Sequence, residues 1–193
     1  MINDPIAKES NLLRERGVTA DDFQIRSFAA IDSGSSVLVA APTSSGKTLV
    51  AEYAIEKILA AGRTVVYTTP IKALSNQKFK DFTEKFPNIT FGILTGDIKF
   101  NPEADCLIMT TEILRNTLFQ KKSIEAETLN ADNTSLHFEM DFEKELACVV
   151  FDEVHYINDA DRGKIWEETI MMLPSETRLV MLSATIDKSL QFA

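Results

Sequence analysis

Residues 37–48 read VLVAAPTSSGKT, and this stretch decides the fold. Four apolar residues, Val37–Ala40, have the composition of a short buried strand, and the loop Ala41–Thr48 follows directly. Apolar residues then recur at a spacing of four, as on one face of a helix: Val50, Ala54 and Ile58. A strand, a loop of small residues ending in Gly-Lys-Thr and a helix form a Walker A arrangement, with alanine in place of the usual first glycine.

Each residue type in this loop suits phosphate binding. Small residues allow backbone N–H groups to curl around phosphates, and a helix beginning near Gly46 would point its positive end at them. Lys47 is predicted to reach the β- and γ-phosphates of a nucleotide, and the Thr48 hydroxyl to ligate Mg²⁺. The remaining predicted nucleotide contacts are Thr43, Ser44 and Ser45. A Ser/Thr-rich turn that only caps a helix would not require Gly-Lys-Thr at this place.

Further apolar runs along the chain predict the rest of a sheet. They are Thr64–Thr68, Cys106–Met109, Ala147–Phe151 and Leu179–Leu182, with Ile89–Leu94 as a further candidate. Each run is continuous rather than alternating, which is typical of strands buried on both faces in a parallel sheet. Helical patterns lie between the runs. We therefore predict an α/β fold of three layers, with a mostly parallel central sheet flanked by helices.

The predicted domain organisation has two parts and one insertion. Residues 1–34 form an N-terminal helical segment, with helices near Pro5–Arg16 and Asp21–Ser33, and residues 35–193 form the main domain. In the region 120–146, apolar and polar residues alternate from 136 to 142 after a turn-like Asn-Ala-Asp-Asn sequence. This pattern fits a protruding hairpin or a surface loop equally well.

Composition places the chain among ordinary globular proteins. Hydrophobic residues make up 45% of the 193 residues and charged residues 25%. No apolar run approaches the length of a membrane span, and the N-terminus lacks the pattern of a signal peptide, so an intracellular protein without a membrane partner is expected. Cys106 and Cys148 lie in apolar runs and are predicted to be buried thiols. The net charge of −9 argues against tight nucleic-acid binding by a broad basic surface.

An acidic pair, Asp152-Glu153, follows the apolar run that ends at Phe151. Two adjacent carboxylates at a strand end become favourable when Mg²⁺ is bound. Asp152 would then hold the metal while Glu153 orients and deprotonates the attacking water. Alone, such a pair equally fits acidic decoration of a helix N-terminus. The order of a Walker A loop, this pair and then Ser183-Ala184-Thr185 after the last apolar run favours the metal interpretation.

In this order the motifs resemble those of superfamily-two helicases, and within them the superkiller and exosome-associated DExH-box RNA helicases. The matching segments cover most of residues 23–193, and they include Phe23-Gln24, Ala41–Thr48, Pro70–Lys78, Thr95–Asp97, Thr110–Arg115, Asp152–His155 and Ser183–Thr185. The phrases Pro70–Lys78, Asp152–Tyr156 and Arg162-Gly163 leading to Trp166–Ile170 are specific to this group. The resemblance implies the first RecA-like, ATP-binding domain of such a helicase.

The resemblance also implies roles for individual residues. Gln24 would read adenine, and His155, Ser183 and Thr185 would couple the nucleotide state to the grip on the strand. With Lys47, Asp152 and Glu153, His155 completes the implied catalytic set. Contacts to single-stranded RNA, made to phosphate and sugar, would come from Pro70, Lys72, Asn76, Gln77, Thr95, Gly96, Asp97, Thr110, Thr111 and Arg115. Each of these residues also has a purely structural interpretation. Lys72, for example, could lie on the solvent-exposed face of a helix, and Thr111 could be an N-cap.

A complete motor of this family needs more than this chain provides. A second RecA-like domain with an arginine finger is the implied partner, so a fragment of a longer protein and very slow ATP hydrolysis by the chain alone are expected, with no oligomer. Two other functions stay open: a DNA-repair helicase domain of the same superfamily, and a catalytically silent nucleotide-binding scaffold. A P-loop small-molecule kinase is disfavoured, because it would not explain the Asp152–His155 motif followed by Ser183–Thr185.

Overall fold

The computed structural model describes residues 20–126, 145–159 and 162–184, with the backbone alone over 121–126. In chain order the elements are α1 (Asp22–Asp32), β1 (Val37–Ala40), α2 (Lys47–Ala60), β2 (Thr64–Thr69), α3 (Lys72–Lys85), β3 (Phe91–Leu94), β4 (Lys99–Phe100), β5 (Cys106–Thr110), α4 (Thr111–Ala126), β6 (Leu146–Phe151), a 3₁₀ helix (Val154–Asn158), α5 (Gly163–Met172) and β7 (Arg178–Ser183). The predicted helix Pro5–Arg16 lies outside the described residues, as does Thr185.

The described strands form one sheet with the order β1-β7-β6-β2-β5-β3-β4. Neighbouring strands run parallel except for β3 and β4, which are antiparallel. The predicted parallel α/β sheet is therefore confirmed, including the strand expected within Ile89–Leu94. Edge strand β4 was not predicted, because two exposed residues give no periodic signal.

Alternate residues of the central strands feed two separate cores. Val65 and Tyr67 of β2 join the core beneath α1, α2 and α3, whereas Val66 joins the core beneath α4 and α5. The largest fully buried side chains on these two faces include Tyr67, Phe28 and Phe82 on one and Trp166 and Phe151 on the other. The three-layer arrangement follows directly from the continuous apolar strands, since both faces of the sheet are covered.

Two parts of the chain differ from the sequence-based expectation. Residues 120–126, placed at the start of the predicted hairpin, continue α4, and β6 begins at Leu146. The alternating stretch 136–142 lies outside the described residues, so the hairpin stays a prediction. After the acidic pair the chain forms the 3₁₀ helix Val154–Asn158, which periodicity did not indicate because it is a single short turn.

Candidate nucleotide-binding site and nucleic-acid edge

The carboxyl ends of the parallel strands meet at one edge of the sheet, and most of the singled-out motifs lie at those ends, whereas Gln24 lies in α1, ahead of β1. The Walker A loop follows β1, Asp152 follows β6, and Ser183 ends β7. On the other side of β6, Pro70, Thr95 and Thr111 follow β2, β3 and β5. Because the strand order is β1-β7-β6-β2-β5-β3, the candidate nucleotide residues occupy one half of this edge and the candidate nucleic-acid residues the other.

The Walker A loop is shaped by backbone conformations that favour small residues. Ser44 and Gly46 both have positive φ, 66° and 80°, and Gly46 stands immediately before the first turn of α2. The positive φ of Gly46 favours glycine, and a Cβ at this position would lie 2.6 Å from Gln24 Nε2, so the Gln24 side chain would have to move to admit it. The Ser45 hydroxyl is buried without a hydrogen-bond partner, as expected of a donor that awaits a ligand.

Lys47 is held inside the loop. Its Nζ donates to the carbonyl oxygens of Ala41 (2.8 Å) and Pro42 (2.9 Å), and the residue is 9% exposed. The loop therefore brings a cationic group close to the N-terminus of α2. Both attract anionic phosphate groups. Thr43 and Ser44 are exposed on the rim of the loop.

Gln24 joins the N-terminus of α1 to the Walker A loop. Its Nε2 donates to the carbonyl oxygen of Gly46 (3.0 Å), and its Oε1 accepts from the Asp21 backbone N–H (2.8 Å) in a capping box. The side chain is buried. In this structure Gln24 positions the loop and starts α1, and the sequence contained the capping box (Asp21 and Gln24, three residues apart) as a usable signal.

Asp152 and Thr48 converge on one cation, the ammonium group of Lys78. Lys78 Nζ lies 3.3 Å from Thr48 Oγ1 and 3.7 Å from Asp152 Oδ2. Tyr67 donates its phenolic O–H to the same Asp152 Oδ2 (2.6 Å). Burial, together with the negative charge of Asp152, raises the pKa of Tyr67 well above its usual value, so the phenol stays a donor. Neither Tyr67 nor Lys78 was singled out as a site residue from the sequence.

The positions of Thr48 and Asp152 around the Lys78 ammonium indicate whether Mg²⁺ could bind there. The ammonium shows that the Thr48 hydroxyl and the Asp152 carboxylate point at one position that accepts a cation. Among the described residues, no group of three or more His, Cys, Asp or Glu side chains could hold a metal by itself. Two oxygen ligands, with phosphates and water completing the shell, are what Mg²⁺ uses in nucleotide sites. The residues present therefore fit the group.

Glu153 has a strained backbone, with φ 55° and ψ 47°. Its Oε2 lies 3.2 Å from His155 Nδ1, but the geometry is not that of a hydrogen bond, and both atoms are buried without a partner. Non-glycine residues hold such a conformation when the surrounding structure demands it, and they concentrate at functional sites. Ser183 is fully buried, and its carbonyl oxygen accepts from the Ala41 N–H (3.1 Å), which ties β7 to the start of the Walker A loop.

The candidate nucleic-acid residues divide into exposed and buried groups. Lys72, Asn76 and Gln77 are exposed on α3, and Lys72 forms an ion pair with Asp97 (2.5 Å), which brings the segments Pro70–Lys78 and Thr95–Asp97 together. Pro70, Thr110 and Thr111 are buried instead. The Thr111 hydroxyl forms a hydrogen bond with the Thr68 hydroxyl (2.9 Å). The part of Thr111 left to contact a nucleic-acid strand is therefore its backbone, at the start of α4.

Arg115 has a partner that the sequence did not reveal. Its Nε donates to Glu168 Oε2 on α5 (2.6 Å), and its guanidinium lies 6.0 Å from the Phe119 ring centroid. This hydrogen bond is the main cause that lowers the pKa of Glu168. As a nucleic-acid contact, Arg115 would have to leave or share this ion pair.

Comparison with known proteins agrees with this geometry. The sequence profile of DEAD/DEAH box helicases matches residues 21–193. This chain belongs to that family. The helicase domain is 46% identical over 173 residues to the antiviral helicase SKI2 of Saccharomyces cerevisiae, covering 90% of the chain and 12% of the relative. It is 44% identical over 192 residues to the ATP-dependent RNA helicase mtr4 of Schizosaccharomyces pombe, covering 98% and 15%.

A human relative, the exosome RNA helicase MTR4, is 44% identical over 173 residues. The helicase domain thus spans only 12–15% of the length of these relatives. Among solved structures, the DUF1998 helicase MrfA bound to DNA and AMPPNP shares the fold, with a TM-score of 0.70 and 19% identity over 97% of this chain and 27% of that one. Within the described ranges, none of the helices is long and apolar enough to cross a membrane.

Proposed function

We propose that the chain is the ATP-binding domain of an ATP-dependent RNA helicase. One observation carries the proposal: Thr48 of the Walker A helix and Asp152 of the acidic pair, far apart in sequence, meet around a single cation at the carboxyl edge of the sheet. A nucleotide with its metal needs this juxtaposition of phosphate loop and carboxylate. The neighbouring half of the same edge carries the exposed polar residues of α3.

The site geometry supports a set of proposed residue roles. The loop 43–48 and the α2 amides would hold the phosphates, with Lys47 turning from the carbonyls of Ala41 and Pro42 to the phosphate oxygens. Thr48 and Asp152 would hold Mg²⁺, which when bound neutralises phosphate charge. Glu153, next to Asp152, would orient a water molecule and accept its proton as the water oxygen bonds to the terminal phosphorus and the bond to the bridging oxygen breaks. Gln24 would present its amide to the adenine on exchange of its present hydrogen bonds to Gly46 and Asp21.

His155, Ser183 and Thr185 would relay the nucleotide state to the strand. His155 lies against Glu153, and the Ser183 carbonyl accepts a hydrogen bond from the first residue of the Walker A loop, so both contact groups that are proposed to act on the nucleotide. This pattern supports a coupling role for them. A complete motor would place a second RecA-like domain over this edge, and closure of the two would finish the catalytic site.

RNA is the proposed nucleic acid because the similar curated proteins are named RNA helicases. Contacts would come from Lys72, Asn76 and Gln77 on α3, from the turn Thr95–Asp97, and from backbone amides at Thr110 and Thr111. Such contacts read phosphate and sugar rather than bases, so they would be independent of sequence. Arg115 would join them on exchange of its Glu168 partner.

Nucleotide binding tests the first half of the proposal. In calorimetric titration, ADP should bind the chain saturably and more tightly with Mg²⁺ than without. Lys47→Ala should weaken that binding at least about tenfold, since it removes a charge-assisted contact to phosphate of about 1.5–3 kcal/mol. Lys80→Ala, which removes an exposed amine from α3, serves as the matched control and should bind as the wild type does.

Competition between strands tests the second half. A fluorescent single-stranded RNA is first bound to the chain in the presence of Mg²⁺ and a non-hydrolysable ATP analogue. Unlabelled RNA or DNA strands of the same sequence are then titrated in, and displacement of the fluorescent RNA is measured. RNA should displace the probe at lower concentration, and an Asn76→Ala, Gln77→Ala double variant should lose affinity for RNA while its affinity for ADP is unchanged. Equal competition by DNA would favour the DNA helicase alternative, and ADP binding without any strand binding would favour a nucleotide-binding scaffold.

A further inference from the structure

Lys78 stands where the proposed function places Mg²⁺. Its ammonium group lies 3.3 Å from Thr48 Oγ1 and 3.7 Å from Asp152 Oδ2, the two oxygens assigned to the metal. The side chain is only 17% exposed, which is unusual for lysine. It is part of α3, whose neighbouring residues Asn76 and Gln77 face solvent on the nucleic-acid half of the edge.

The stem of Lys78 is packed rather than free. Nζ lies 5.9 Å from the centroid of the Tyr67 ring and 5.8 Å from that of Phe82, both fully buried aromatic residues. Rings at this distance attract an ammonium group and restrict where it can move. Tyr67 also bonds the same Asp152 oxygen, so one phenol, one ammonium and one carboxylate form a closed cluster under the Walker A helix.

A buried carboxylate without a counter-charge is costly, and Lys78 is the cation that neutralises Asp152 in this structure. Mg²⁺ cannot enter beside it without strong repulsion, because a divalent ion between Thr48 and Asp152 would lie within a few ångströms of Nζ. The phosphate groups of a nucleotide offset this repulsion, because their negative charge can stabilise both Mg²⁺ and the Lys78 ammonium.

We propose that Lys78 is the resident counter-ion of the metal site, and that it excludes Mg²⁺ from Thr48 and Asp152 until a nucleotide brings phosphate charge. The inference rests on the metal assignment of the proposed function and assigns Lys78 a positioning role. It makes the site selective for Mg²⁺ as part of a nucleotide complex over free Mg²⁺.

The test uses Lys78→Met, which keeps an unbranched apolar stem over the two rings and removes the charge. Mn²⁺ alone is titrated into the nucleotide-free chain and followed by the loss of its free electron paramagnetic resonance signal. The variant should bind Mn²⁺ about tenfold or more tighter than the wild type, a coupling within the usual range between two sites. Lys80→Met, on the same helix with an exposed amine, should match the wild type, and Lys78→Met with Asp152→Asn should lose the gain.

A second readout separates this inference from the proposed function. The ratio of ADP dissociation constants without and with Mg²⁺ should rise about tenfold in Lys78→Met, since the ammonium no longer substitutes for the metal in its absence. If the wild type binds no nucleotide, the proposed function fails and the Mn²⁺ titration alone decides the role of Lys78. Unchanged or weaker Mn²⁺ binding by Lys78→Met overturns the proposed counter-ion role of Lys78. If that variant melts at a lower temperature by circular dichroism, Lys78→Gln is titrated in its place under the same criteria.

Discussion

Gly163 shows how one residue can determine the geometry of the site. A Cβ at this position would lie 2.2 Å from the carbonyl oxygen of Ile157, a backbone atom of the 3₁₀ helix that follows the acidic pair. The sequence marked Arg162-Gly163 only as a phrase shared with a family. The structure supplies the reason, which is the close approach of α5 to the segment carrying Glu153 and His155.

We therefore expect Gly163→Ala to destabilise the chain by about 1–3 kcal/mol, because the backbone of the 3₁₀ helix must shift to admit a methyl group. Urea unfolding monitored by Trp166 fluorescence measures the change. Met171→Ala is the control on the same helix, since Met171 is 83% exposed and its loss should change the free energy of unfolding by less than about 0.5 kcal/mol. An equal stability of Gly163→Ala and wild type would mean that the close approach is relaxed in solution.

Some residue roles could not be read from the chain. The ion pair between Arg115 and Glu168 joins α4 to α5, and the cluster of Tyr67, Lys78 and Asp152 joins β2, α3 and β6. Each depends on which elements become neighbours. Periodicity identifies the elements but does not state their order in the sheet, so these partners had no sequence signal.

At the scale of elements, β2 lies between two strands that each carry a cysteine. Val65 is in register with Cys106 of β5 and with Cys148 of β6, and both thiols are free and fully buried, as predicted from their apolar surroundings. Burial raises the pKa of Cys148 to about 12, and it also raises that of Cys106. The two thiols therefore stay protonated in the folded sheet.

A pH dependence of stability follows from these shifts. In the unfolded chain the thiols lose their protons near pH 9.0, while Cys148 in the folded chain keeps its proton up to about 12. Between these values the folded state binds more protons, so stability is full below pH 9 and falls as the pH rises, by up to about 1.4 kcal/mol per unit for each thiol. Urea unfolding of wild type and Cys148→Ala between pH 8 and 10.5 measures the two slopes. The slope of the variant should be shallower, and parallel slopes would contradict the prediction.

For the whole molecule, the sequence did not determine the strand order. That order divides the carboxyl edge of the sheet into a nucleotide half and a nucleic-acid half. Continuous apolar runs were sufficient to predict a parallel sheet, and the Walker A loop and acidic pair indicated nucleotide chemistry. The sequence of an individual strand does not indicate that β7 and β6 lie between β1 and β2. That order places α3 at the junction, with Lys78 towards the nucleotide half while Lys72, Asn76 and Gln77 face solvent.

The charge of the whole chain, −9, sets how RNA binding should depend on salt. Lys72 is the exposed cation among the described candidate contacts on α3 and the turn Thr95–Asp97, and Asp97 already pairs with it. Single strands lose affinity with a log–log slope of about −0.7 per phosphate neutralised, so one or two contacts give a slope no steeper than about −1.4. Fluorescence anisotropy of labelled RNA between 50 and 200 mM KCl, with Mg²⁺ and an ATP analogue present, measures it. Lys72→Met should flatten the slope by about 0.7. A wild-type slope clearly steeper than about −1.4 would contradict this prediction and would show that RNA contacts further basic residues away from this edge.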